Sequence, residues 1–245
     1  MKRIALLLCF GAAVATLYPA AAGAARFSGV VVAKQTHRHA LVIASRSGAV
    51  RTVRTAKRIR VGSRVVVNAR VLHDGTFAAT RIGVRGRALH ARIHAVVVRR
   101  VHGGKLVSAG HSVFRIRTGI TTASLTDHHG DQPGDEVDET VTIAPNGELD
   151  EDNEQEVGQA DLVELEGSFV SLVGNTLTIK TEDGPTIGVV VPAGFTLPTF
   201  TTGQSLELKV SVSGTTFTLV KVTSEDDDDQ GDDNQGDDDS GGGDD

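Results

Sequence analysis

The sequence predicts an all-β protein made of tandem small five-stranded β-barrel modules, flanked by an N-terminal signal helix and a disordered acidic C-terminal tail. Three observations predict it. Short segments alternate apolar and polar residues with period two, and no helical stripe of any length interrupts them. Glycine-containing turns recur at fixed intervals: 13 residues from Gly62 to Gly75, 13 from Gly134 to Gly147 and 11 from Gly203 to Gly214. Each interval holds one strand and ends at a hairpin glycine. The composition is rich in Val, Thr, Gly and Ala, with 4% aromatic residues and no Trp, which suits strands around modest cores.

The chain opens on Lys2 and Arg3, an uncharged apolar run from Ile4 to Leu17, then Pro19 and the small residues Ala20 to Ala25. That order is a secretory signal pattern, with cleavage expected after Ala22 or Ala24 and a secreted or envelope location. The alternative is a retained anchor, because Ile4–Ala25 is close to the roughly 20 residues that span a bilayer. Past this stretch no apolar run reaches that length, so no transmembrane span is expected in the mature chain. Cys9, the only cysteine, leaves with the signal. Disulfide and thiol chemistry leave with it.

The first module is expected over 27–86. Its strands are Phe27–Ala33, Ala40–Ala44, Val50–Thr55, a fourth after Gly62 with Val65, Val67, Ala69 and Val71 on one face, and Phe77–Val84 after the turn His73-Asp74-Gly75-Thr76. The second, over 87–158, begins at Leu89–Val101 and turns at Gly103-Gly104. It continues through Lys105–Ala109 and Ser112–Arg117, carries a polar insertion at 118–133, and resumes at Glu136–Ile143 before the turn Pro145-Asn146-Gly147. The third, over 160–224, has a long strand from Leu162 to Val173, then Leu177–Lys180, Thr186–Val191, Leu206–Val212 and Thr215–Thr223. Residues 225–245 form the Asp-rich tail, whose composition cannot bury a core.

A repeat of 60–70 residues indicates tandem domains and not a solenoid. Five strands per repeat suit a closed or partly open barrel of the OB type, in which closure removes exposed edges. The alternative is a pair of β-sandwiches sharing strands. The pieces Phe27-Ser28-Gly29-Val30-Val31, Val61-Gly62-Ser63-Arg64-Val65-Val66-Val67 and Phe77-Ala78-Ala79-Thr80-Arg81-Ile82 resemble uncharacterised secreted bacterial OB-like repeat domains of unknown function. So do Glu166-Gly167-Ser168-Phe169-Val170 and Thr202-Gly203-Gln204-Ser205-Leu206. The resemblance covers 27–86 and 160–224 well and the middle module poorly. It implies architecture only, since the family carries no assigned activity.

The net charge of −6 conceals a reversal. From Arg26 to Arg117 there are 20 Lys and Arg against one acid, Asp74; from Thr118 onward there are 3 Lys against 30 Asp and Glu. Such asymmetry points to a polyanion-facing part with an acidic appendage. Arg51, Arg54, Lys57, Arg58, Arg60 and Arg64, extended by Arg85, Arg87, Arg92, Arg99 and Arg100, are the candidate polyanion-binding residues. Export argues against a nucleic-acid partner, as does the shortage of aromatic stacking platforms in the basic region. An anionic envelope polymer or polysaccharide fits better. A second reading is structural: the acidic segments 135–156 and 225–245 neutralise basic surface within or between chains, giving charge-driven self-association.

Asp226, Asp227, Asp228, Asp229, Asp232 and Asp233 offer oxygen ligands for weak association of divalent cations such as calcium, but not in an EF-hand register. His37 with His39, and His128 with His129, lack the partners of a zinc site. Ser108 and Ser112 lie near His111 without a nucleophile elbow or a positioned acid. No phosphate loop or dinucleotide fingerprint is present, so no cofactor is expected. The expectation is a non-enzymatic protein; a wall-polymer hydrolase working through unpatterned carboxylates is the distant alternative.

Overall fold

The computed structural model describes residues 24–118, 132–182 and 184–224. The expected signal up to Gly23, most of the polar insertion, and the tail with Asp226–Asp229, Asp232 and Asp233 lie outside the described residues. Among those described, the regular elements are all β-strands.

Fifteen strands form three five-stranded sheets in chain order. The first contains β1 (Ala24–Gln35), β2 (Ala40–Ala44), β3 (Val50–Arg54), β4 (Ser63–Val71) and β5 (Phe77–Arg87). It closes into a barrel in the order β1-β2-β3-β5-β4, with β1 paired to both β2 and β4 and a parallel β3–β5 contact at Val53↔Phe77. The third contains β11 (Leu162–Val173), β12 (Thr176–Lys180), β13 (Thr186–Val190), β14 (Ser205–Ser213) and β15 (Thr216–Ser224). It is closed in the same order, with the parallel contact at Val190↔Thr218. This is the five-stranded OB arrangement.

The middle sheet contains β6 (His90–Val101), β7 (Gly104–Ser108), β8 (Val113–Ile116), β9 (Asp135–Ile143) and β10 (Leu149–Gln159), in the order β10-β9-β6-β7-β8. Its outer strands meet through one parallel bridge, Arg117↔Asp150. There Arg117 N–H donates to Leu149 O and Glu151 N–H to Arg117 O, both at 2.8 Å. The middle module therefore follows the plan of its neighbours more closely than its sequence suggested. The alternative of sandwiches sharing strands is set aside, because each strand belongs to a single sheet. Strand β10 is the element that sequence patterning passed over. Its LDEDNEQEVGQ segment is mostly wet, so no apolar alternation marks it; it pairs with β9 from Leu149↔Ile143 to Gln159↔Asp135.

The modules share their cores. The first strand of every module carries a bulge at the same place, between Val31 and Ala33, Val97 and Arg99, and Phe169 and Ser171. A bulge re-aims the side chain of its extra residue. Val31, Leu41 and Ile43 fill the first barrel, whereas the bulged Val32 joins Val42 and Ala44 in the core of the middle module, with Ile93, Phe114, Ile143 and Leu149. One module further on, Val98, Leu106 and Val113 enter the core of the third, with Leu165, Leu177 and Leu208. This leaves β2 and β7 buried on both faces. At about 1.5–3 kcal/mol for each large apolar side chain removed from water, these contacts bind the modules into one body.

A glycine completes each joint. Gly62 and Gly134, at φ +82° and +95°, hold backbone that L side chains rarely adopt. Their N–H groups donate to Val31 O and Val97 O, and their carbonyls accept from Ala88 N–H and Ala160 N–H of the next module, all at 2.8 Å. A Cβ at Gly62 falls 3.3 Å from the Ile143 side chain, and one at Gly134 falls 3.2 Å from that of Val212.

Candidate anion-binding cleft and the module junction

The eleven candidate basic residues do not form one face. Arg51 lies over the rings of Phe27 and Phe77, 4.8 and 5.9 Å from their centres, and the two rings meet edge to face at 5.2 Å. Arg54 is held by Asp74 at 2.5 Å. Lys57 donates to Ile82 O at 3.0 Å, and with Arg58 and Arg60 it lines a cleft of about 570 Å³ at one end of the first barrel, beside Lys34 and His39. Arg58 and Arg60 sit in the connection between β3 and β4, not on strands. Arg87 ends β5 and is exposed. Arg99 is half-buried on β6, next to the exposed Arg100.

Arg64, Arg85 and Arg92 converge. Together with Arg46 and His90 they line a cleft of about 630 Å³ between the first and middle modules. Its floor is apolar, built from Val30, Ala44, Val66, Ala88 and Ala91. The positions follow from strand alternation: on β4, Val65, Val67 and Ala69 point into the barrel and Arg64 points out. Arg92 is fixed by Asp138 at 2.6 Å, and Arg92's hydrogen bond holds the Asp138 carboxyl below its ordinary range. Sequence reasoning missed Arg46, which sits in the loop between β2 and β3, outside the run of basic residues that begins at Arg51, and meets Arg64, Arg85 and Arg92 only through the fold.

The surface that OB folds commonly use, the face of strands two and three with the adjoining loops, is consumed by packing in the first two modules. The β1–β2 loop of the first module inserts among carboxylates of the third. Arg38, nearly buried, lies 3.3 Å from Glu166, 3.9 Å from Glu207 and 4.0 Å from Asp74. Thr36 N–H donates to Glu182 at 3.0 Å, and Gln35 donates to Ser112 at 2.8 Å and to Glu166. From the middle module, Ser112 lies 2.6 Å from Thr52.

His111 completes this junction. Its backbone is left-handed at φ 64°, a conformation uncommon outside glycine. Its Nδ1 lies 3.0 Å from both Glu164 and Glu207 of the third module. Hydrogen bonds to those two carboxylates raise its pKa to about 10. One ligand atom from each of the three groups lies within 4.8 Å of the others, a donor set that suits a divalent ion such as zinc. Arg38, 3.3 Å from Glu166 and 3.9 Å from Glu207, already supplies positive charge there, and the cluster pairs His111 with two carboxylates as a clamp between modules.

A second charged cluster lies inside the middle module. Lys105 and Glu139 are fully buried, 3.1 Å apart, and Lys105 also reaches Glu151 at 3.0 Å and Glu154. Burial raises the Glu139 carboxyl to about 7, against the pull of Lys105. Strand register gives the equivalent positions in the other modules. Lys105 corresponds to Leu41 and Leu177, and Glu139 to Val67 and Leu208. The middle module thus carries an ion cluster where its neighbours carry aliphatic residues.

Part of the expected charge neutralisation is present within the chain. Asp138 meets Arg92 and His94, Asp152 meets His90 at 3.1 Å, and Glu148 and Asp150 meet Arg117. No helix among the described residues is long and apolar enough to cross a membrane.

No family model matches the chain, and no curated protein matches it. Among solved structures it is similar to a multidomain protein with nucleic acid binding domains from Streptococcus pneumoniae. The identity is 12%, over 79% of this chain and 72% of that one, with a TM-score of 0.24. A likeness at that level carries no argument about function.

Proposed function

We propose that this is an exported, non-enzymatic envelope or extracellular protein that holds an anionic polymer in the cleft between its first and middle modules. One observation carries the reading: Arg46, Arg64, Arg85 and Arg92 surround one apolar floor. Guanidinium groups present forked donors that match carboxylate, phosphate and sulfate oxygens. The floor of Val30, Ala44, Val66, Ala88 and Ala91 accepts the hydrocarbon face of a sugar or polyol unit between charged groups. Polysaccharide and teichoic-type polymers have this alternation. The first module is basic throughout, with 14 Lys and Arg against Asp74 over 24–87, so its field draws such a chain to the cleft. Phe27 and Phe77, the aromatics of this module, are occupied by each other and by Arg51, which leaves little platform for stacked bases.

The test is retention of the full chain on heparin and on immobilised teichoic acid, with single-stranded DNA in parallel. Retention at low salt and elution as salt rises are expected. Arg64→Glu with Arg85→Glu is expected to weaken binding by about 30-fold, from roughly 1 kcal/mol per arginine. Identical elution of variant and wild type removes the cleft from the reading. Stronger retention on DNA than on either envelope-type polymer replaces the proposed ligand class.

A further inference from the structure

We propose that the face of the third module around Val170, Leu172 and Gly203 docks a second copy of this chain, which meets it with the end of its first module at Val71. The joint that fastens one module to the next is made twice within the chain and prepared a third time. In both completed joints the bulged valine is buried, Val32 at 2% exposure and Val98 at 0%. The equivalent Val170 is 38% exposed, with Leu172 at 45% and Val173 at 73% beside it. The joint glycine is also repeated. Gly203 has φ +88° and donates to Phe169 O at 2.8 Å, as Gly62 and Gly134 donate to Val31 O and Val97 O. A Cβ at Gly203, however, meets nothing within 4 Å, where Gly62 and Gly134 face Ile143 and Val212.

Ile143 and Val212 hold equivalent positions near the ends of the fourth strands of the two receiving modules; the residue at that register in the first module is Val71. Ile143 is 3% exposed in its joint, and Val71 is 44% exposed. The third module therefore shows the donor half of the joint and the first module shows the receiver half. The receivers of the middle and third modules are already engaged, which leaves the first module of another copy as the continuation. Charge agrees: the first module is strongly basic, whereas residues 160–224 hold 6 acids and 3 Lys. Contact between two different faces is heterologous, so copies add head to tail into rings or open fibres. Joints within the chain benefit from covalent tethering, which a joint between copies lacks. Assembly therefore depends on concentration.

The experiment measures the mass of the full chain by light scattering over a concentration series at low salt, with Val170→Asp and Val71→Asp. Both positions are exposed, and unchanged unfolding midpoints confirm that the variants fold. The wild type is expected to grow in mass with concentration, and each variant alone to stay monomeric. Each variant retains one intact half-joint, so an equimolar mixture is expected to stop at the dimer. A wild type that stays monomeric overturns the proposal. So does association that persists in either variant, or a mixture that remains monomeric.

Discussion

Replacing Lys105 alone with leucine is expected to cost about 3–5 kcal/mol of stability, the range for breaking a buried ion pair from one side. Denaturant titration checks it. The cost arises because Glu139, fully buried between Val137 and Val141 on β9, loses its nearest cation while remaining out of water. Glu151 and Glu154 retain partial exposure and can turn outward. Changing Lys105 and Glu139 together to leucine is expected to recover most of the loss or to stabilise the protein beyond wild type. The neighbouring modules already use Leu41 with Val67 and Leu177 with Leu208 at these positions, and a packed aliphatic pair often equals or exceeds an ion pair there. The pH dependence has a definite sign. Glu139's pKa is raised from 4.5 to about 7, so its contribution is complete below pH 4.5 and declines as pH rises through 7. In the single variant the lone carboxyl protonates more readily still, and the penalty is expected to be smaller at pH 5 than at pH 8. A Lys105→Leu variant as stable as wild type at pH 8 would contradict the cluster's geometry.

Raising the pH is expected to loosen the third module's attachment through His111. The raised pKa of about 10 means that His111's stabilisation is complete below 6.5 and is lost as pH climbs through 10. Glu164, held below 4.5 mainly by the hydrogen bond from His111, limits the other side: its share is lost as pH falls below that value. The clamp thus contributes its full stabilisation between about pH 4.5 and 6.5. His111→Asn tests it, because asparagine tolerates the left-handed backbone better than most residues but brings no charge. The variant is expected to unfold at lower temperature than wild type at pH 6, with a gap that narrows steadily towards pH 10. A gap independent of pH would mean that the loss comes from packing alone.

The sequence made the strand plan legible because alternation and hairpin glycines are local signals. Leu206, Leu208 and Val210 on β14 declare their face without reference to the rest of the chain. Strand β10 carried no such signal, because its side chains are mostly in water and only its pairing with β9 defines it. Position by register, after the Asn146-Gly147 turn, could have found it. The buried Lys105 and Glu139 were hidden for a related reason: charged residues at inward positions break the pattern from which inward positions are inferred. Charge reversal between the halves was plain in the sequence, but its resolution was not. Which arginines line a cleft and which meet Asp74, Asp138 or Glu166 depends on strand pairing within modules and, for Arg38 with Glu166, on contact between them. The signal was there in the bulge sites: Val32, Val98 and Val170 are apolar residues out of phase with their strands.

Shared cores also set a direction of dependence. The first module draws its buried cluster from residues 31–82, all its own. The clusters of the middle and third modules borrow Val32, Val42 and Ala44, and then Val98, Leu106 and Val113, from the module before. Each later unit therefore completes its core only against the module before it, and stability passes along the chain as coupling between nearest neighbours. A chain emerging N-terminus first presents the modules in that same direction. The first barrel alone fills its core from its own residues, and its loss is felt to the far end.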